Sequence, residues 1–315
     1  MKKTITRSSP SVRLVVVGSI GLDAIATPQA RRRNVLGGSV THACAAASFF
    51  CKTGMVGVVG ADFPASFRNL YRRLGIDTRG LERIAGKTFR WSGVYEADMN
   101  NRRTLKTELN ALARFDPVLP EPYRRAPYLF LANMQPALQL RVLDQMRAPR
   151  FVAADTMDLW IRTARSDLDA VLKRVDLVTL NDSEARELTG SHNVIRAAKQ
   201  VMAMGPRYVA LKKGEHGAIL LSRAGISLLP AFPVEQVVDP TGAGDTFAGG
   251  FMGALARSGR ADADALRQAM VVGSVMASFC VESFGPDAVA DLTPAGIRSR
   301  VTRFRKMLAL EGGRA

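Results

Sequence analysis

The sequence predicts an α/β fold in which a mostly parallel sheet is covered by helices and carries a small β lid. From residue 128 onward, apolar strand segments alternate with helical segments, which is typical of parallel strands joined by helical crossovers. The continuous apolar run Leu14–Val17 predicts a strand buried on both faces. Residues 88–95 instead alternate aromatic with polar side chains, which predicts a lid strand with two unlike faces.

The predicted elements follow a simple order along the chain. Residues 1–11 are expected to form a loose basic tail. Strands are predicted at Leu14–Val17, Met55–Val59, Tyr128–Leu131, Phe151–Ala154, Leu177–Leu180, Tyr208–Lys212 and Ala218–Leu221. Helices are predicted at Cys44–Phe50, Asp62–Leu74, Gln135–Met146, Ser166–Arg174, Asn193–Met204 and Ala261–Cys280. Segments at about 25–36 and 87–110 are expected to form the lid. Without internal repeats or a long linker, residues 12–310 are expected to be a single domain.

The composition indicates a globular cytoplasmic protein. With 315 residues and 47% hydrophobic content, the chain can bury a large core. No apolar run reaches the roughly 20 residues that cross a bilayer, and the first ten residues lack a signal-peptide core. Cys44, Cys51 and Cys280 have no metal-ligand spacing, so buried reduced thiols are expected.

The formal net charge of +16 is spread over several small arginine clusters. Such a field attracts a polyanionic substrate such as ATP, and it also attracts nucleic acid without sequence preference. Few aromatic residues interleave with the clusters, and no helix-turn-helix or zinc-finger spacing is present. A solvated basic surface is therefore the simplest interpretation, and no nucleic-acid partner is expected.

The stretch 237–251 joins a loop of small residues to a helix. Pro240 and Gly242 are expected to end a preceding strand, and a helix is predicted to begin near Gly242. Phe247, Phe251 and Leu255 recur every four residues and would form its buried face.

The start of this predicted helix could bind an anion. The backbone N–H groups of Gly242, Ala243 and Gly244 would be unpaired there, and the helix dipole adds positive potential. Asp245 follows in the first turn. On spacing alone, this carboxylate is equally suited to accept a proton during phosphoryl transfer and to cap the helix.

The run Asp239-Pro240-Thr241-Gly242-Ala243-Gly244-Asp245-Thr246-Phe247 resembles the C-terminal signature of the ribokinase and phosphofructokinase-B (PfkB) family of carbohydrate and nucleoside kinases. The resemblance extends over most of the chain, from Gly18 to about Gly285. It implies a ribokinase-like three-layer α/β/α sandwich with a β lid that can also form a homodimer. It further implies transfer of the γ-phosphoryl group of ATP to a hydroxyl of a sugar or nucleoside.

The resemblance also implies roles within the motif. Asp245 would be the catalytic base, and the amides of Gly242, Ala243 and Gly244 would form the anion hole. Thr241 would lie on the nucleotide side. Asp239, together with backbone oxygens near Gly285, would hold a monovalent cation such as K⁺.

Residues near the first strands are candidates for binding the acceptor. Asp23 reads as a turn carboxylate on composition, whereas the resemblance implies that it binds acceptor hydroxyls. Gly37 and Gly38 allow close approach of a ligand or tight helix packing, and in the family such a pair faces the acceptor. The following residues, 39–42, depart from the Lys-Gly-Ala-Asn of ribokinase-like members, which argues against ribose itself. Further acceptor contacts are predicted from Phe89, Trp91 and Asn110.

Polar residues after the central strands are candidates for the nucleotide side. Asn181 and Glu184 have the spacing of a helix capping box, and the resemblance implies that they also organise Mg²⁺, through water. Lys212 and Lys213 end a strand where an ammonium could meet phosphates. Of these residues, Lys213 is chosen as nucleotide-binding, together with Gly214 and Gly217 of the following loop.

Two functions remain open at this point. One is a kinase whose acceptor is a sugar, a sugar phosphate or a nucleoside. The alternative is a catalytically silent family member that acts as a sensor or binds nucleic acid.

Overall fold

The computed structural model describes residues 11–309, so the predicted tail lies outside the described residues except for Ser11. The strands are β1 (Leu14–Val17), β2 (Gly21–Ala26), β3 (Arg31–Gly37), β4 (Thr53–Val59), β5 (Asp77–Arg83), β6 (Arg90–Tyr95), β7 (Arg102–Glu108), β8 (Tyr128–Leu131), β9 (Phe151–Asp155), β10 (Leu177–Asn181), β11 (Tyr208–Lys212), β12 (Ala218–Ser222) and β13 (Gly225–Leu229).

The α-helices are α1 (Ser39–Ala47), α2 (Ala65–Arg73), α3 (Pro136–Gln145), α4 (Asp158–Thr163), α5 (Arg165–Leu172), α6 (Asp182–Thr189), α7 (Val194–Ala203), α8 (Ala243–Ser258), α9 (Ala263–Cys280), α10 (Asp287–Ala290) and α11 (Pro294–Leu308). Short 3₁₀ helices cover Asn110–Arg114 and Gly214–His216. Helix α1 begins five residues before the predicted start, directly after Gly38.

The central sheet has nine strands in the order β13-β12-β11-β10-β9-β8-β1-β4-β5. The strands from β11 to β5 in this order are parallel to one another, and β12 runs antiparallel to both of its neighbours, β11 and β13. The predicted α/β fold with a mostly parallel sheet is confirmed. Because parallel strands share one carboxyl edge, polar residues that follow them converge there.

The sheet is buried on both faces by helices. Leu14 and Val16 belong to a core formed with α1, α8 and α9, whereas Val15 and Val17 belong to a second core that includes residues of α3. All four side chains of β1 are 0% exposed. This double burial is the physical reason for the uninterrupted apolar run in the sequence.

Helix α8 is held close to α1 by glycines on one of its faces. A Cβ atom at Gly249 would overlap the Ala43 carbonyl oxygen, and one at Gly253 would lie 2.8 Å from the Cα atom of Ala47. The two backbones are therefore in direct contact. This contact fixes the start of α8 beside the start of α1.

The lid is a separate four-stranded sheet in the order β3-β2-β6-β7. It uses residues 21–37 and 90–108, with β2 and β3 antiparallel, β2 and β6 parallel, and β6 and β7 antiparallel. A bulge between Ser92 and Gly93 interrupts the last pairing.

The strand expected before Pro240 does not form, since residues 230–242 pair with no strand among residues 11–309. The amides of Val238 and Asp239 both donate to the Val281 carbonyl oxygen, at 2.7 and 3.2 Å. In the described part of the chain, no helix combines the length and the hydropathy needed to cross a membrane. Cys44, Cys51 and Cys280 are free thiols, of which Cys51 is only partly buried.

Candidate active site

An ion pair lies at the carboxyl edge of the central sheet. Lys212 Nζ, from the end of β11, lies 2.7 Å from Asp155 Oδ2, at the end of β9. The Asp155 side chain is 3% exposed and the Lys212 side chain 17%. A Cβ atom at Gly244 would lie 3.3 Å from the same Nζ. The ammonium group is thus next to the first turn of α8.

Asp245 lies in that first turn and is partly exposed. Desolvation, reinforced by the charge of Asp155, raises its pKa to about 7, although the positive charges of Lys212 and Arg102 oppose the shift. A carboxylate with a pKa near 7 can accept a proton from a hydroxyl at neutral pH.

The turn before α8 is shaped by Gly242, whose φ of 77° lies in the left-handed region that favours glycine. A Cβ atom here would overlap the imidazole ring of His42. Of the three amides expected to be free, that of Ala243 donates to the Pro240 carbonyl oxygen at 3.2 Å. The amides of Gly242 and Gly244 make no such turn bond within residues 11–309.

Asp239 is buried at 0% exposure below this turn. Its Oδ1 accepts the Thr241 N–H at 2.9 Å, whereas its Oδ2 has no hydrogen-bond partner among the described residues. Burial raises the pKa of Asp239, and the hydrogen bonding from Thr241 opposes the rise. An orphaned, buried carboxylate oxygen fits the binding of a cation.

Asn181 and Glu184 form the capping box of α6. The Asn181 amide donates to Glu184 Oε2 at 2.8 Å, and the Glu184 amide donates to Asn181 Oδ1 at 2.8 Å. Burial raises the pKa of Glu184 to about 7, with Lys212 lowering it and Asp155 raising it. The capping function is therefore confirmed for both residues.

Asn181 and Glu184 are suited to contact Mg²⁺ only through water molecules. The cap occupies the single side-chain oxygen of Asn181 and one carboxylate oxygen of Glu184. In residues 11–309 no group of three or more His, Cys, Asp or Glu side chains is arranged to hold a metal ion directly. Mg²⁺ usually keeps several waters and binds nucleotide phosphates. Burial is the main cause of the raised pKa of Glu184, and a divalent cation nearby would favour its charged form.

Asp23 is 4% exposed, and its carboxylate lies against Gly37 and Gly21 at the base of the lid. A Cβ atom at Gly37 would overlap Asp23 Oδ2, and Gly38 has a φ of 93° where a Cβ atom would overlap the Ser19 carbonyl oxygen. Burial, followed by the charge of Asp239, raises the pKa of Asp23 to about 7. Its Oδ1 has no partner among the described residues and can bind a ligand hydroxyl.

The predicted lid residues occupy different environments. Phe89 is partly exposed, and its ring would lie 2.9 Å from a Cβ atom at Gly21. Trp91 Nε1 donates to Thr104 Oγ1 at 3.2 Å. Asn110 Nδ2 donates to the Thr88 carbonyl oxygen at 3.1 Å, so this amide group holds the lid backbone.

The loop between β11 and β12 contains Lys213, Gly214 and Gly217. The Lys213 amide donates to the Gly217 carbonyl oxygen at 2.8 Å, and both glycines have positive φ, 54° and 88°. The structure brings Lys212, rather than Lys213, into the carboxylate cluster.

Sequence reasoning considered Lys212 but chose Lys213, and it gave no specific site role to Asp155, His42, Tyr95 or Arg102. For Asp155 and Lys212 a signal existed, since both directly end parallel strands. His42 is 2% exposed with an unpartnered Nε2, and burial lowers its pKa to about 4. Tyr95 belongs to the aromatic side of the predicted lid strand, whereas Arg102 gave no comparable local signal.

Known proteins resemble this chain in sequence and in fold. Residues 12–291 match the profile of the pfkB family of carbohydrate kinases. A cytidine kinase of Thermococcus kodakarensis is 30% identical over 251 residues, which is 78% of this chain and 88% of that protein.

The fold of this chain also resembles that of solved structures, including the following two. A nucleoside kinase of Burkholderia thailandensis in complex with inosine has a TM-score of 0.76 at 21% identity and covers 92% of this chain and 98% of its own. An E. coli protein in complex with ATP and Mg²⁺ has a TM-score of 0.77 at 18% identity and covers 93% of this chain and 99% of its own.

The fold and the profile match together define a phosphotransferase that acts on an alcohol group. The chain belongs to the pfkB family of carbohydrate kinases. Membership of this kinase family implies ATP as the phosphoryl donor.

Proposed function

We propose that the protein is a nucleoside kinase that transfers the γ-phosphoryl group of ATP to a hydroxyl of its acceptor, with cytidine as the first acceptor to test. The likeness to a cytidine kinase over 78% of the chain carries this choice. The partly exposed aromatic residues Phe89 and Trp91 support it, because they could stack on a base.

Asp245 is proposed as the catalytic base. Its position in the first turn of α8 and its pKa of about 7 support this role. In the reaction, the acceptor oxygen bonds to the γ-phosphorus as its proton passes to Asp245. The bond to the β,γ-bridging oxygen breaks, and its electron pair leaves with ADP.

The charge on the transferred group is proposed to be stabilised from the side of α8. The amides of Gly242 and Gly244 would donate to phosphoryl oxygens, and Lys212 lies beside them. Thr241, Lys213, Gly214 and Gly217 are proposed on the nucleotide side. Mg²⁺ bound to the nucleotide would neutralise part of the phosphate charge, with Asn181 and Glu184 contacting it through water.

The acceptor is proposed to bind between the lid and the first strand ends. Asp23 supports this placement, because its unpartnered oxygen can accept hydrogen bonds from two ribose hydroxyls. Gly37 and Gly38 would allow the sugar to approach the backbone, Phe89 and Trp91 would flank the base, and Asn110 would line the same side.

A monovalent cation such as K⁺ is proposed at Asp239, near Gly285. The buried, unpartnered Oδ2 of Asp239 supports this site. Activity should then rise when K⁺ replaces a bulky organic cation at constant ionic strength. Equal activity of the wild type and Asp239→Asn in both salts would exclude the site.

A homodimer through the lid is also proposed. The edge strands β3 and β7 each have one neighbouring strand within the described residues, which leaves backbone groups open to a second copy. Light scattering should give twice the chain mass, and Leu105→Glu on exposed β7 should lower it. An unchanged monomeric mass for the wild type would exclude the dimer.

A screen of ADP release over nucleosides, free sugars and sugar phosphates tests the function. We expect a nucleoside to give the highest kcat/KM. A free sugar or sugar phosphate as the best acceptor would overturn the acceptor assignment while retaining the kinase. Turnover of none of these, with salt-sensitive RNA or DNA binding, would favour the non-catalytic alternative.

A further inference from the structure

The hairpin of β6 and β7 presents one face of the lid to the loop before α8. Tyr95 on β6 is directly opposite Arg102 on β7, and Gly93 is opposite Thr104. Residues directly opposed in an antiparallel pair point to the same face. The Tyr95 hydroxyl lies 3.1 Å from Thr241 Oγ1, so this face is the inner one. Arg102 is therefore on the inner face.

Trp91 supports the guanidinium on that face. Its ring covers Gly93, where a Cβ atom would overlap it, and the Arg102 Cζ atom lies 5.7 Å from the ring centroid. A cation over an aromatic face is stabilised without losing its charge. The side chain of Arg102 thus has a preferred position beneath the lid.

No carboxylate within the described part of the chain forms a salt bridge with Arg102. Its lid neighbours Arg90 and Lys106 pair with Asp62 and Glu108, whereas no salt bridge of residues 11–309 includes Arg102. Its field nevertheless acts on the carboxylate cluster, where it lowers the pKa values of Asp245 and Glu184. An unpaired cation that faces several carboxylates is suited to an anionic ligand between them.

The turn before Arg102 is anchored on the loop that follows β11. Asn100 Nδ2 donates to Glu215 Oε1 at 2.9 Å, in the 3₁₀ helix that follows Lys212 and Lys213. The hairpin therefore contacts both the loop before α8, through Thr241, and the loop after β11, through Glu215.

We propose that Arg102 is a further catalytic residue, whose guanidinium contacts the phosphoryl group in transfer and stabilises its negative charge from the lid side. This inference rests on the proposed kinase function. A guanidinium can bind two phosphoryl oxygens at once and keeps its proton throughout. It would complement the amides and Lys212 on the opposite side of the same group. The proton from the acceptor still passes to Asp245.

The test compares Arg102→Gln with Arg103→Gln. Arg103 is the adjacent residue on β7, pairs with Val94 and is exposed on the other face, so it controls for loss of one lid charge. We expect Arg102→Gln to lower kcat by ~100-fold or more, with the acceptor KM changed less than about threefold. Arg103→Gln should remain within about twofold of the wild type, and both variants should melt at the wild-type temperature.

Two further measurements distinguish a phosphoryl contact from a structural role. Added guanidinium ion should restore part of the activity of Arg102→Ala and none of the activity of Asp245→Asn. Arg102→Gln should also weaken binding of Mg²⁺, ADP and aluminium fluoride, a mimic of the transferred group, more than binding of Mg²⁺ and ADP.

The outcomes separate this inference from the proposed function. Failure of the wild type to phosphorylate any acceptor rejects the proposed function, and the aluminium fluoride comparison then decides the role of Arg102 alone. An active wild type with Arg102→Gln at a similar kcat rejects the inference. So does a variant whose only defect is a raised acceptor KM, because that result assigns Arg102 to acceptor binding.

Discussion

The hydroxyl group of Thr241 donates a hydrogen bond to the phenolic oxygen of Tyr95 at 3.1 Å. Thr241 belongs to the turn before α8, and Tyr95 is a lid residue that is 6% exposed. This bond is a direct link between the lid and the proposed phosphate site. Closure of the lid over the acceptor would therefore change the contacts of the turn that is proposed to hold the phosphoryl group.

Replacing Tyr95 with Phe should weaken this link while retaining the ring. A neutral hydrogen bond contributes about 0.5–1.5 kcal/mol, so we expect the acceptor KM to rise roughly 2- to 10-fold with a smaller change in the KM for ATP. Steady-state kinetics measure both values. Tyr208→Phe is the matched control, because its hydroxyl bonds the Ala261 carbonyl oxygen away from the lid. Equal effects of the two substitutions would contradict the proposed link.

Replacing Asp245 with Asn should remove the proton acceptor. We expect kcat to fall by ~10³-fold, within the range of general-base catalysis, while the melting temperature and ATP binding are retained. Asp264→Asn tests whether any carboxylate in a first helical turn has this effect, since Asp264 lies in the first turn of α9 and is exposed. Retention of most activity by Asp245→Asn would remove it as the base.

The pH dependence of kcat/KM should follow the ionisation of Asp245. The pKa of this group is about 7, and only its charged form accepts a proton, so activity should rise with pH through about 7 and then level off. The positive charge of Lys212 lowers this pKa, so Lys212→Met should move the inflection to higher pH. Lys213→Met should leave it in place. The opposite pattern would show that Lys213 is the lysine of the site.

Stability should depend on pH through Asp23. Its pKa is raised from 3.8 to about 7 in the folded protein, so the folded state binds a proton that the unfolded state releases above about pH 4. The stability contributed by protonated Asp23 is present below pH 4 and is lost as pH rises through 7. Asp23→Asn should therefore gain melting temperature relative to the wild type between pH 5 and pH 8. A constant difference across this range would contradict the raised pKa.

Some features of this protein could be predicted from short segments of its sequence. The apolar runs of β1, β8 and β11 predicted buried parallel strands, because such runs occur where helices cover both faces of a sheet. The start of α8 was predicted from Gly242 and from Phe247, Phe251 and Leu255, all three of which are buried. The capping box of Asn181 and Glu184 was equally local, since its partners are three residues apart.

Other elements carried too weak a local pattern. Strand β5 has an intermediate or exposed position at all but one of its residues, and β13 lies at the sheet edge with only Leu229 buried. Helix α11 buries only Ile297 and Phe304. Edge strands and surface helices need few apolar residues, so their periodicity is indistinct from that of loops.

The sequence by itself determined the α/β architecture, the helix start at Gly242 and the candidate carboxylates at the strand ends. Only the tertiary structure decided that Lys212, and not Lys213, lies 2.7 Å from Asp155, because strand register sets which of two adjacent side chains faces the cluster. It also decided that Arg102 and Tyr95 lie on the inner face of the lid, and that Asp239 retains an unpartnered oxygen. These contacts are made between segments that lie far apart in the chain. A local hydrophobic pattern predicts which residues are buried, but it does not predict which distant side chains they contact.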